Sequence, residues 1–271
     1  MDSRVEHWRR VGLDISCHRR TNRKGYKAGA MLAFDAEVKG EYIAIFDTDF
    51  VPDARFLTDC VPYLVDNPGL AFVQGRWTYL NQDVSTFTRS PLVTTPTLTN
   101  APLRGNVVPC VVRTARCRCG AERRPSSYGR YVEISLNFHI EAEQYVRSSA
   151  SQYLQFNGTG GVWRKAAMDE VGGWVDETVV EDLDLSLRVH LAGWSALWLH
   201  QVRTPNELPS ELAAYRTQQH RWSCGPTQVL NRCAKIIRCS RLPLVRKLQL
   251  VIFFFGARSI SVRSHVPVQN T

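Results

Sequence analysis

The spacing of apolar positions changes several times along the chain, and each change predicts an element. Tyr42 to Phe46 is a short apolar run rich in strand formers that ends abruptly in Asp47-Thr-Asp49. Leu70 to Trp77 and Ser195 to Leu199 read as further strands, and Leu13 to Cys17 as a shorter one. Helical spacing marks residues 1–12 through Val5 and Trp8, and residues 27–37 through Ala28, Met31 and Leu32. It returns over Phe56 to Val65, Tyr131 to Ser148 and Lys165 to Val171. A further helix begins near Glu181, where Leu183, Leu187, Leu191 and Trp194 fall on one face. Asn67-Pro68-Gly69 and Gly172-Gly173 supply stop signals. Helices alternating with strands predict an α/β fold.

Ser90 to Gly129 breaks the pattern. It is rich in Pro, Thr, Arg and Cys, has no sustained period, and is too long for an ordinary loop within a domain. It reads as a disordered insertion or as sequence foreign to the folded protein. This segment also changes the meaning of the charge. The chain of 271 residues carries a formal net charge of +9, but six arginines against the single acid Glu122 in that segment give about half of it. The remaining basic clusters, Arg19 to Lys27 and Arg232 to Lys247, suit diphosphates or lipid headgroups. There is no recognition-helix pattern and no aromatic-basic stacking motif, so nucleic acid is not an expected partner. The eight cysteines include no C-x-x-C pair and read as reduced structural thiols. The N-terminus is no signal peptide.

Candidate chemistry gathers at four places. Ligands of open α/β sheets sit beyond the carboxyl ends of strands. Alternation along an extended chain would send Asp47 and Asp49 the same way, as two hard oxygen ligands for Mg²⁺ or Mn²⁺ bridging a diphosphate. Alone, an acidic pair of this kind is more often a solvated turn. Lys27, near a helix start, can meet phosphate oxygens or can be an ordinary exposed lysine. Phe156-Asn-Gly-Thr-Gly-Gly161-Val-Trp-Arg164 is a glycine-bearing loop able to bring backbone groups close to a ligand. It contains the sequon Asn157-Gly158-Thr159, which a tightly folded loop would shield from modification. In Val180-Glu181-Asp182-Leu183-Asp184, three acids within four residues exceed what a helix start requires. Gln218, Arg221 and Trp222 put an amide, a guanidinium and an indole within about a turn, which suits a sugar ring. A buried tryptophan beside a surface arginine would give the same pattern.

Gly25-Tyr-Lys-Ala-Gly29, Asp47-Thr-Asp49, Val180-Glu-Asp182 and Gln218-Gln-His-Arg-Trp222 occur in that order. Together they resemble the motifs of processive family 2 glycosyltransferases of the cellulose-synthase superfamily. Phe156-Asn-Gly-Thr159, Asn206-Glu-Leu-Pro209 and the run from Gln218 to Pro226 are most similar to the plant cellulose-synthase-like group A, the glucomannan 4-β-mannosyltransferases. The resemblance implies a GT-A fold, a mixed sheet with flanking helices. It implies inverting transfer of β-1,4-linked mannose, or glucose, from a nucleotide sugar to a growing polysaccharide. GDP-mannose is the implied donor, with GDP-glucose or UDP-glucose as alternatives. Asp47 and Asp49 would hold the divalent cation. Asp182, beside Glu181, would be the general base, and Lys27, Gln218, Arg221 and Trp222 would hold the diphosphate and the acceptor end. A β-1,4-glucan (xyloglucan backbone) synthase and an inactive GT-A fragment are the alternatives.

The expected organisation places the nucleotide and metal half in residues 1–89, the insertion in 90–129 and the acceptor half in 130–226. A basic interfacial helix follows in 227–247, and the start of a truncated membrane segment with an aberrant tail in 248–271. The family's first aspartate has no counterpart, so the expectation is a fold incomplete at both ends. The resemblance places the full-length parent in the Golgi membrane.

Overall fold

The structure is a computed structural model describing residues 2–80, 136, 138–150, 153–209, 212–252 and 254. The 90–129 insertion and the tail after residue 254 lie outside the described residues. So does the start of the helix expected from Tyr131. In chain order the elements begin with α1 (Asp2–Arg10), α2 (Tyr26–Phe34) and its 3-10 extension (Asp35–Glu37). Next come β1 (Tyr42–Ile45), α3 (Phe56–Asp66) and β2 (Leu70–Tyr79). A π-helical stretch (Phe138–Gln144) runs into α4 (Tyr145–Ser149). Then follow β3 (Gly161–Arg164), α5 (Lys165–Glu170), α6 (Glu181–Ala192), β4 (Ser195–Asn206), α7 (Leu212–Cys239) and α8 (Leu244–Val251).

The strands form one mixed sheet in the order β1-β3-β2-β4. β3 runs antiparallel to both β1 and β2, while β2 and β4 are parallel. The carboxyl ends of β1, β2 and β4 therefore open on one edge, and the chain enters β3 from that same edge. Pleating sends alternate residues to opposite faces. Phe72 and Trp163 face a core shared with Phe156, Met168, Leu185 and Val189. Val73 and Val162 face a second core against Phe56, Cys60 and Leu64 of α3. A third core joins Leu183 and Leu187 of α6 to Val229, Cys233 and Ile237 of α7 and Leu250 of α8.

Four details differ from the sequence expectation. Leu13 to Cys17 forms no strand: Leu13 is exposed, and the Ile15 carbonyl accepts a hydrogen bond from Arg9 Nε at 2.7 Å in place of a neighbouring strand. The glycine loop stops at Gly160, because Val162 and Trp163 are buried on the two faces of β3. Trp194 lies beyond the left-handed cap at Gly193 and packs on the first core, away from Leu183 and Leu187. The basic C-terminal segment is two helices broken at Ser240–Pro243. Cys17, Cys60, Cys224, Cys233 and Cys239 are free thiols.

Candidate active site

β1 ends at Ile45, and the chain then turns, with the Phe50 amide donating to Asp47 O at 3.0 Å. The Val51 amide bonds Pro205 O at 2.9 Å, and buried Phe50 meets Trp77 edge-on. Asp47 and Asp49 are therefore presented by a turn, not by strand alternation as the sequence suggested. Asp47 keeps 40% of its side chain exposed, and Asp49 is exposed.

Lys27, in the first turn of α2, reaches this turn. Its ammonium donates to Asp47 Oδ1 at 2.5 Å and to Gly158 O at 2.8 Å. The Asp47 amide donates to Thr159 Oγ1 at 2.8 Å, so strand, helix and glycine loop close on one another. The loop thus offers the lysine a carbonyl and the aspartate a hydroxyl. Sequence reasoning had credited it only with backbone approach, and Thr159 was not singled out. Asn157 Nδ2 is buried, so the sequon is inaccessible to modification.

α6 brings a second pair of acids to this loop. Gly158 has φ +83°, a left-handed conformation that favours glycine. A Cβ there would lie 3.3 Å from Asp182 Oδ2 and 3.9 Å from Lys27 Nζ. Both groups therefore crowd the space that a side chain at 158 would need. Asp182 Oδ1 accepts the Leu183 amide at 2.8 Å, which fixes the carboxylate at the helix start. Glu181 is half-buried, and its carboxyl is pushed up to about 7, first by burial and then by the charge of Asp182. Lys27 opposes that shift and Asp47 adds to it, so all four groups share one electrostatic site. The third acid of the run is structural. Asp184 is fully buried between Arg188 Nε at 2.6 Å and Arg232 Nη1 at 2.7 Å.

α7 docks against the start of α6. Gly225 stands so close to Val180 that a Cβ would meet Cγ1 at 2.4 Å. Gln228 Oε1 accepts the Val179 amide at 3.1 Å. Gln218, Arg221 and Trp222 precede Gly225 by seven, four and three residues in the same helix. Pro226 has no amide for the Trp222 carbonyl, which loosens the helix at that point. Trp222 is half-buried and packs with Leu136, Leu208, Tyr79 and Tyr215. Gln218 Oε1 is buried and has no hydrogen-bond partner among the described residues, and Arg221 is exposed. The structure therefore gathers Lys27, Asp47, Glu181 and Asp182 at one place, while α7 meets the start of α6 through Gly225 and Gln228 and Trp222 packs in a separate cluster.

Among the described residues no three His, Cys, Asp or Glu side chains converge as a metal cluster. Asp47 and Asp49 offer hard oxygen donors, and the Lys27 ammonium already stands on one of those oxygens as a positive charge. Mg²⁺ and Mn²⁺ take such carboxylates and complete their shell with water and substrate phosphate oxygens, so this donor set fits either cation.

A mixed sheet whose parallel carboxyl ends open toward a lysine, an acidic turn and a glycine loop, with two further acids at a helix start beside them, fits a fold of the GT-A type. Family comparison agrees: the model described as Glycosyl transferase family group 2 matches residues 117–268, and that of Glycosyl transferase family 2 matches residues 6–124. The chain belongs to glycosyl transferase family group 2. It is 38% identical over 264 residues to glucomannan 4-beta-mannosyltransferase 1 of Cyamopsis tetragonoloba, covering 96% of this chain and 42% of the relative. It is 39% identical over 259 residues to probable glucomannan 4-beta-mannosyltransferase 11 of Arabidopsis thaliana, covering 94% and 49%. The chain spans less than half the length of these relatives. Mannosyltransferase PcManGT from Pyrobaculum calidifontis, solved in complex with GDP-Man and Mn²⁺, shares the fold. Its TM-score is 0.57 at 17% identity, over 98% of this chain and 63% of that one.

Proposed function

We propose that the chain carries the catalytic site of an inverting, processive glycosyltransferase that adds β-1,4-linked mannose from GDP-mannose to a growing mannan or glucomannan. The observation that carries this reading is the convergence of the Lys27–Asp47 pair and Asp182 at Gly158, where one Cβ position would lie 3.3 Å from Asp182 Oδ2 and 3.9 Å from Lys27 Nζ. In-line displacement would set the leaving diphosphate by Lys27 and Asp47 and the incoming hydroxyl by Asp182, on opposite sides of the anomeric carbon. Asp182 takes the proton of the acceptor 4-hydroxyl as its oxygen bonds the anomeric carbon. The anomeric carbon–diphosphate bond breaks, and its electron pair leaves on the nucleotide. Attack from the far face converts an α-linked donor to a β-linked product. Lys27 offsets the charge growing on the diphosphate. Asp47 and Asp49 would hold Mg²⁺ or Mn²⁺, which supplies Lewis-acid stabilisation of that same charge. Burial and the charge of Asp182 push the Glu181 carboxyl up, so the two neighbouring acids are unequal and Asp182 is assigned the proton. Gln218, Arg221 and Trp222 hold the acceptor end and the diphosphate, the indole serving as a stacking face.

A Golgi membrane setting belongs to the same proposal. α8 supports it by exposing Leu244, Val245 and Leu248 beside the exposed Arg241 and Arg246, a composition suited to a lipid surface. No helix among the described residues is long and apolar enough to cross a membrane. The test is incorporation of labelled sugar into polymer with GDP-mannose, GDP-glucose and UDP-glucose offered in turn. The expected result is EDTA-sensitive incorporation from GDP-mannose into a product cut by β-mannanase. Incorporation from a glucose donor alone would overturn the mannosyl assignment, and incorporation from none would overturn the activity.

A further inference from the structure

Gln74 is fully buried in the middle of β2, where an apolar side chain would serve the sheet at lower desolvation cost. Its amide is committed instead to the Asn157–Gly160 loop. Nε2 lies 3.0 Å from the carbonyl oxygens of Thr159 and Gly160 and of its own neighbour Gly75, and Oε1 accepts the Asn157 amide at 3.0 Å. Two N–H hydrogens shared among three carbonyls make a tight, geometry-specific clasp. Trp77, farther along β2, adds Nε1 to the Thr159 carbonyl at 3.2 Å. From the opposite side Gln144, also fully buried, donates to Gln155 O and Asn157 Oδ1, each at 2.9 Å.

The clasped loop is the one whose Gly158 carbonyl holds Lys27, whose Thr159 hydroxyl holds the Asp47 amide, and whose bare Gly158 faces Asp182. The geometry points to Gln74 as a positioning residue, whose amide sets the separation of the Lys27–Asp47 pair from Asp182. This rests on the glycosyltransferase reading. Gln74 touches none of these three side chains and acts only through the loop. An error of about 1 Å in the alignment of reacting groups costs on the order of 100-fold in rate.

The test compares the unsubstituted chain with Gln74→Met, Gln74→Glu and Trp77→Phe. It measures amide hydrogen exchange at Asn157 and Gly160, and kcat and donor KM with GDP-mannose and Mn²⁺. Gln74→Met keeps the volume and removes the clasp. It is expected to speed exchange at Asn157 by about 10-fold or more. It should also lower kcat by roughly 30- to 100-fold with donor KM changed by no more than about threefold. Gln74→Glu sets a carboxyl against the same carbonyls, so it should do no better than methionine although it matches glutamine in shape. Trp77→Phe removes one bond and should show the same signature at about 3- to 10-fold, which decides the matter should the Gln74 variants not fold. Unchanged exchange, restoration by glutamate, or a lowered melting temperature with kcat within about threefold of the parent would overturn the positioning role. Absence of turnover in the unsubstituted chain would count against the functional reading, and the exchange measurement would still judge the clasp.

Discussion

Gly225→Ala sets two known effects against each other where α7 meets the start of α6. Gly225 sits inside α7, where glycine costs about 1 kcal/mol relative to alanine, so propensity alone predicts that the substitution stabilises. The packing predicts the reverse. A Cβ would lie 2.4 and 2.5 Å from the two γ-methyls of Val180 and 3.0 Å from its Cβ. Carbon contacts relax only near 3.5–4.0 Å, so α7 must retreat from the start of α6 by roughly 1 Å. Overpacking of this kind costs about 1–3 kcal/mol, and alanine before Pro226 loses part of the propensity gain. The expected net effect is destabilisation by about 1–2 kcal/mol, a fall in melting temperature of roughly 2–8 °C for a chain of this size. Val180→Ala removes the two overlapping methyls, so Val180→Ala/Gly225→Ala should be more stable than the sum of the single changes by about 1–2 kcal/mol. Chemical denaturation of the four proteins measures this coupling directly. A Gly225→Ala protein as stable as the parent or more so, with additive changes in the double variant, would refute the close approach of the helices.

Asp182→Asn should lower transfer by roughly 100- to 10,000-fold with donor affinity nearly unchanged, because the base acts on the acceptor; turnover near the parental rate would remove Asp182 from that role. Lys27→Met should weaken GDP binding by about 10-fold or more, read by calorimetry in the presence of Mn²⁺, while an unchanged affinity would separate Lys27 from the diphosphate. Glu181 predicts a pH dependence of stability. Its carboxyl rises from 4.5 to about 7 on folding, so between those values the folded chain holds a proton that the unfolded chain has released. Its contribution is therefore fullest below the unfolded value and is lost as pH climbs through the folded one, by up to about 3 kcal/mol. Glu181→Gln should flatten that slope in denaturation midpoints measured from pH 4.5 to 8, and an unchanged slope would contradict the assignment.

Where one face of an element is apolar and ends in a turn signal, the sequence was sufficient to locate it. The runs at Tyr42, Phe56 and Leu70 became β1, α3 and β2 within a few residues. Two limits appear in particular residues. Leu13, Ile15 and Cys17 alternate like a strand, but local alternation does not reveal whether a neighbouring strand exists to pair with it. Gly161 to Arg164 is too short to show a period, so β3 was hidden inside a glycine loop until its two partners were in place. The motifs pointed to Lys27, Asp47 and Asp182, but their mutual placement is a long-range property. Lys27 and Gly158 are 131 positions apart when they bond. Nor could the sequence separate Asp184 from its neighbours, since a buried ion pair with Arg232 is invisible until α7 folds back on α6. Gln74 was illegible for the same reason: a polar residue inside an apolar run looks like an interruption until the loop above it is seen.

The central claim is that the Lys27–Asp47 pair and Asp182, which meet at Gly158, serve one bound sugar, the pair its diphosphate and Asp182 its attacking hydroxyl. A crystal structure of this chain with GDP and Mn²⁺ tests it most directly. The cation is expected about 2.1 Å from carboxylate oxygens of Asp47 and Asp49, with the diphosphate beside Lys27 and Asp182 facing the opposite side of the sugar position. A diphosphate bound away from Lys27, or an Asp182 carboxylate turned away from the sugar position, would contradict it.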